Sequence, residues 1–310
     1  MASASKKSKR APEPSARARK APGRAPSKQA LVPGAIIHRG CPADQPIDSA
    51  FSSMAERIVK IQRDLLMPAI TFEHAGLQNT ITFFGASRIK SPEAAKRALE
   101  ELKAKAKGAK ASAALKRKIS DAERDVRMSK YYAYAEELAM RLQEWINLRR
   151  APDSEKLYIM TGGGPGIMEA ANKGAFMAGG KTAGLTITIP DEQRQNRFVT
   201  PELGINFHYF LMRKFWLLFF AKAIVVFPGG TGTFDEFFEV FTLMKTRKTR
   251  ETFPIVLFDR EFWTKAVNFR HLIESDVITE KDLDFFKYVD TVDEAYDFIV
   301  SSLGRRFASS

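Results

Sequence analysis

The sequence has a single cysteine, Cys41, in 310 residues. That excludes an internal disulfide framework and suits a reducing compartment. Its longest apolar stretch, about Phe215 to Phe227, is interrupted by Lys222 and is too short to span a bilayer. The start of the chain lacks the apolar core of a secretory signal, so a cytoplasmic location with no membrane partner is expected. The four histidines are scattered, and no His/Cys/carboxylate group has metal-ligand spacing, so no metal site is expected.

Several glycine signatures are also missing. No turn reads G-x-G-x-x-G, which removes the dinucleotide fingerprint, and none reads G-x-x-x-x-G-K-[ST], which removes the triphosphatase loop. The G-x-S-x-G elbow of the α/β hydrolases is absent too.

The net charge is +13, and it is unevenly spread. Residues 1–30 carry nine Lys/Arg against one Glu, and residues 88–130 carry fourteen against six acidic residues. Each segment therefore contributes +8, and the remainder is slightly acidic. The first segment has no aromatic residues, so base stacking has no support. Residues 1–45, rich in Ala, Pro, Ser, Lys and Arg, cannot offset their ordering entropy and are expected to be a disordered basic tail. The plainer role is a solubilising tail for the first segment and a solvated helical hairpin or extension for the second. The sharper one is contact with RNA, DNA or anionic lipid for the tail and with RNA for the helical segment, where no motif supports it.

Residues 46–310 then read as one α/β domain. A helix is expected from Ser49 to Leu66 on the spacing of Phe51, Met54, Ile58, Ile61 and Leu65. Ile81–Phe84 is the first strand. Residues 91–149 read as helix with a break near Lys107–Gly108, and about 100–130 form a basic helical insertion. Strands are then expected at Leu157–Met160, Ala183–Ile189, Ala223–Phe227 and Ile255–Phe258, and an extended piece at Asn206–Tyr209. The intervening helices are expected at 167–177, 210–221, 261–273 and 292–303. Strand-then-helix order implies a parallel sheet with helices on both faces, binding ligands beyond the C-terminal strand ends.

Three glycine-containing turns lie at those ends: Gly85-Ala86-Ser87, Thr161-Gly162-Gly163-Gly164-Pro165-Gly166, and Pro228-Gly229-Gly230-Thr231-Gly232-Thr233. Glycines let backbone N–H groups approach a ligand closely, and a helix N-terminus favours an anion. This density of glycine suits a bound phosphate or phosphosugar. Glu236 is expected in the first turn of the helix that follows, where the plainer reading is a carboxylate favoured by the helix dipole. The plainer reading of Arg213 is a surface ion pair.

Pro228–Glu236 matches P-G-G-x-G-T-x-x-E at every specified position, Gly162–Met168 matches Gly-Gly-Gly-x-Gly-(Ile/Leu)-Met, and Met212-Arg213-Lys214 matches an Arg-Lys pair after a methionine. On these residues the chain resembles the LONELY GUY family, also labelled lysine-decarboxylase-like. The resemblance covers about residues 80–300 apart from the basic insertion. It implies a Rossmann-like sheet and an AMP nucleosidase-like reaction, in which a nucleoside 5′-monophosphate is hydrolysed to free base and ribose 5-phosphate without a cofactor. It further implies Arg213 and Glu236 as catalytic residues. Substrate binding falls to Ser87, Gly163, Gly164, Gly166, Lys214, Gly229, Gly230, Thr231, Gly232, Thr233, Asp235 and Thr242. A homodimer or larger homo-oligomer is implied, with the site near a subunit boundary. Ala86 departs from the Gly-Ser-Ser run of plant members, so specificity for cytokinin riboside monophosphates does not follow. The rival reading is a non-catalytic nucleotide-binding or carrier protein on the same scaffold.

Overall fold

A strand covered on both faces must be apolar or self-satisfied at every position, and the first strand, β1 (Asn79–Phe84), is buried along its whole length. Ile81 and Phe83 point into one apolar layer, while Phe84 points into the other. The polar threonines between them are satisfied: the Thr80 and Thr82 hydroxyls lie 3.1 Å apart, and Thr82 Oγ1 donates to the Leu217 carbonyl at 3.2 Å. The computed structural model describes residues 51–107, 112–149, 152–188, 194–249 and 251–308. The tail, Cys41, Gly108 and Ile189 lie outside the described residues.

β2 (Leu157–Thr161), β3 (Thr182–Ile187), β4 (Gly204–Phe207), β5 (Ala221–Val226), β6 (Ile255–Phe258) and β7 (Phe286–Val289) join β1. They form one seven-stranded, all-parallel sheet in the order β4-β3-β2-β1-β5-β6-β7. This is the Rossmann-like α/β arrangement. The chain builds outward from β1 to β4 on one side and then crosses to β5 on the other. The strand order therefore reverses around β1, and a crevice opens at its C-terminal end.

One layer holds α4 (Lys130–Leu148), α5 (Ile167–Met177) and α10 (Val292–Ala308), through residues such as Leu138, Ala171 and Ile299. The other holds α1 (Phe51–His74), α6 (Phe210–Phe219), α7 (Thr231–Lys245), α8 (Arg260–Ala266) and α9 (Phe269–Glu274), through Phe72, Trp216, Phe237, Trp263 and Phe269. α2 (Pro92–Ala106) and α3 (Ala113–Met128) form the basic insertion, in which Ala95 and Ala122 are the buried side chains. Their N-termini are capped by Ser91 and Ser112, whose Oγ atoms accept the N–H groups of Ala94 and Leu115 at 3.3 and 3.2 Å.

The structure differs from the sequence expectations in several places. The helical stretch has a second boundary at Ser129, whose hydroxyl donates to the Val126 carbonyl at 2.7 Å and competes with continuation. The expected helix at 261–273 is two, because Asn268 caps a new helix by accepting the His271 N–H at 3.0 Å. α1 runs eight residues beyond Leu66, through Pro68, and the apolar stripe that marks it in sequence is largely exposed. Met54, Ile58 and Leu65 are 52%, 50% and 42% exposed, and on the neighbouring α6 Phe210, Leu211 and Phe219 are 54%, 68% and 49% exposed. No described helix is long and apolar enough to cross a membrane.

Candidate active site

The turns after β1, β2 and β5 are neighbours because those strands are neighbours, and the backbone ties them together. Ala86 N–H donates to the Pro228 carbonyl at 3.2 Å, and Ile167 N–H donates to the Ala86 carbonyl at 3.1 Å. Gly166 caps α5 at φ +73°, and a Cβ there would overlap the backbone of Ala86 and Ser87. No other residue fits that crossing. The three turns enclose a cleft of about 520 Å³ at the switch point.

Of the residues expected at the site, Ser87, Gly164, Gly230, Thr231, Gly232 and Thr233 line the cleft, together with Arg213, Asp235 and Glu236. Others stand behind or beside it. Gly163 is folded onto β3, its N–H donating to Thr161 Oγ1 at 2.9 Å. Gly166 faces an adjoining hollow, and Gly229 packs on the Thr233 side chain. Lys214 and Thr242 line a separate groove between α6 and α7. Lys214 Nζ sits 2.8 Å from both Asp235 and Glu239. Burial pulls its pKa down, but the two hydrogen bonds outweigh that and hold it above its ordinary value.

Glu236 is the sixth residue of α7 and lies in its second turn, not the first. The sequence reading puts the helix start close to Glu236, whereas the backbone turns helical directly after Gly230. Thr233 and Phe234 N–H groups both donate to the Gly230 carbonyl, at 2.9 and 3.1 Å. Thr231 and Gly232 thereby become the first turn, whose N–H groups have no acceptor within a helix, and both residues line the cleft. Glu236 is 7% exposed, and its Oε2 has no hydrogen-bond partner among the described residues. Burial raises its pKa to about 7, against the opposing pull of Arg213 and Lys214.

Arg213 faces it from α6. Its Nε donates to the Leu185 carbonyl at 2.7 Å and its Nη2 to the Gly162 carbonyl at 3.3 Å. Burial lowers the guanidinium pKa and Glu236 opposes that shift. Gly162 is required for space: a Cβ there would overlap Arg213 Nη2 and come within 2.7 Å of Met168 Sδ. Sequence reasoning places Gly162 in the turn but assigns it no such duty.

Two asparagines hold the Gly162–Gly164 turn and were missed. Asn172 on α5 accepts from Thr161 Oγ1 at 2.7 Å and from Asn196 Nδ2 at 2.9 Å. Asn196 Nδ2 also reaches the carbonyls of Gly163 and Gly164 at 3.1 and 3.0 Å. Asn196 lies some thirty residues further along the chain, and only the completed fold pairs it with this turn. Glu169, in the first turn of α5, accepts the Tyr132 hydroxyl at 3.2 Å and lies outside the cleft.

Residues 168–299 match the family model described as "Possible lysine decarboxylase", and this stretch holds Arg213 and the whole Pro228–Glu236 motif. Over that stretch the chain is similar to the lysine-decarboxylase-like family. A search of curated proteins finds no match. Among solved structures, the structural-genomics protein TM1055 is 20% identical with a TM-score of 0.44, over 72% of this chain and 99% of that one. A molybdenum cofactor carrier protein from Chlamydomonas reinhardtii is 16% identical with a TM-score of 0.40, over 73% and 99%. The lysine-decarboxylase-like label raises the question of an amine-bound cofactor, which needs a free lysine at the site. No lysine lines the cleft among the described residues, and Lys214 is held by two carboxylates in the next groove. The residues of this cleft do not fit that chemistry.

Proposed function

We propose that the protein hydrolyses the N-glycosidic bond of a nucleoside 5′-monophosphate, releasing free base and ribose 5-phosphate. One observation carries the reading: a buried carboxylate with an unpartnered oxygen and a pKa near 7 shares with a guanidinium a cleft lined by the first residues of a helix. The phosphate docks on the turn at Gly230–Thr233, where a helix N-terminus and two hydroxyls favour an anion. The C1′–N bond breaks with its electron pair passing to the base, while water adds to C1′. Glu236 stabilises the positive charge that develops on the sugar and takes the proton from water, a task suited to a carboxylate that titrates near neutral pH. Arg213 is the cation available to the phosphate or to the negative charge on the departing base.

The test is incubation with a panel of nucleoside monophosphates, cytokinin ribosides included, followed by chromatography for base and ribose 5-phosphate. Release from at least one nucleotide is expected. Tight binding without release from any of them would move the reading to a nucleotide carrier.

The exposed apolar face of α1 and α6 supports a homodimer. Phe210 belongs both to this face and to the cleft wall, so a second copy seated there would border the site. Size-exclusion chromatography with light scattering is expected to give twice the chain mass, and Leu211→Glu with Phe219→Glu to give one chain mass. A monomeric wild type would sink the dimer.

A further inference from the structure

We propose that α1 belongs to the catalytic machinery: its Asp64 fixes the start of α6 and, through it, the guanidinium of Arg213. The proposal rests on the reading of Arg213 above, and α1 lies outside the stretch matched by the family model.

Asp64 is 3% exposed, an expensive place for a carboxylate unless its oxygens are satisfied. Oδ2 accepts the backbone N–H groups of His208 and Tyr209 at 2.8 and 3.0 Å, and Oδ1 lies 3.0 Å from His208 Nδ1. These groups precede α6, whose N-cap, Tyr209, provides no side-chain cap of its own. The cap is supplied from another helix instead. Tyr209 is the next link, because its carbonyl accepts the Arg213 N–H at 3.1 Å.

A second attachment comes from the same residue. Pro68 stands four positions after Asp64 in α1 and has no N–H to give, so the Asp64 carbonyl loses its ordinary helical donor. Trp216 Nε1 donates to it at 3.1 Å. α6 is therefore pinned to Asp64 on both sides of Arg213, at Tyr209 and at Trp216. Arg213 in turn depends on two carbonyls at 2.7 and 3.3 Å, contacts that a shift of α6 by about an ångström breaks. An apolar contact would dock α1 at lower cost; what the carboxylate adds is position.

The test compares Asp64→Ala with Asp64→Asn, whose amide oxygen can still accept both backbone N–H groups. Base release is measured as kcat and KM, and hydrogen exchange is followed at the amides of residues 209–214. For Asp64→Ala, kcat is expected to fall on the order of tenfold to a hundredfold with KM changed by less than about threefold, the scale of a small misplacement. Exchange at 209–214 should accelerate. Asp64→Asn should restore kcat to within about threefold of wild type. Ile299→Ala, in the opposite apolar layer, serves as the control for lost stability. A similar fall in kcat there at matched Tm, wild-type kcat in Asp64→Ala, or no recovery in Asp64→Asn would each overturn the proposal. Should Asp64→Ala not fold, Trp216→Phe removes only the second attachment; a fall in kcat of about threefold or more supports the proposal, and unchanged kcat and exchange overturn it. If wild type releases no base, the hydrolase reading fails by itself; the positioning of α6 is still decided by exchange, and unchanged protection in Asp64→Ala overturns it.

Discussion

Replacing Glu236 by Gln is expected to lower base release by on the order of a thousandfold, the range lost when a positioned acid–base group or a charge-stabilising group is removed. Gln keeps the shape but neither accepts a proton nor carries charge. The wild-type rate should rise with pH through about 7, because burial holds the Glu236 pKa there and only the ionised form acts. The same burial gives a stability signature of opposite sense. With the folded pKa raised from 4.5 to about 7, the folded state keeps a proton between those values that the unfolded state has released. Stability therefore falls as pH rises across that window. One pKa unit is worth about 1.4 kcal/mol, so the ionised carboxylate costs the fold at most roughly 3 kcal/mol. Glu236→Gln should match wild type near pH 4 and unfold at higher denaturant near pH 8, less what Arg213 loses with its counter-charge. Urea titrations at the two pH values, alongside a pH–rate profile, check both halves. A variant that keeps its activity, or one less stable than wild type at pH 8, would count against a desolvated catalytic carboxylate.

Arg213→Ala should reduce turnover on the order of a hundredfold to a thousandfold, comparable to deleting one preorganised charge-stabilising donor. It strands the Leu185 and Gly162 carbonyls and leaves Glu236 without its largest opposing charge. Lys at this position keeps the charge and loses the planar fork that spans both carbonyls, so it should not recover the activity. Gly162→Ala is expected to give a loss of similar order with both proposed catalytic residues still present, since the new methyl takes the place of Arg213 Nη2. Gly162 is not among the positive-φ glycines, so the backbone itself tolerates alanine. Steady-state kinetics on the three variants, with circular dichroism as the folding control, checks the set. Wild-type turnover in Gly162→Ala would mean that the guanidinium need not sit where the structure has it.

Much of this was legible beforehand because it is local. Short apolar runs mark buried parallel strands, and β1, β2, β5 and β6 lie within two residues of where the pattern puts them. The start of α7 was misjudged because Thr and Gly are poor helix formers, and only the chain's turn at Gly230 recruits them. The exposed stripe of α1 shows the same limit from the other side. Helical periodicity says that residues share a face, not that anything in the chain covers it.

The residue types of the proposed chemistry, an acid closing a glycine-rich turn and an arginine on the helix before it, stand in the sequence by themselves. So does the parallel α/β class, since it follows from strand-then-helix order. Their meeting does not. The turns at Ser87, Gly164 and Gly230 come from distant parts of the chain, and they adjoin only because the strand order places β1 between β2 and β5. Tertiary structure likewise set Glu236 at its pKa, seated Arg213 on two carbonyls, and brought Asp64 to the head of α6. Desolvation and long-range hydrogen bonds depend on what surrounds a residue in space, which one-dimensional periodicity does not encode.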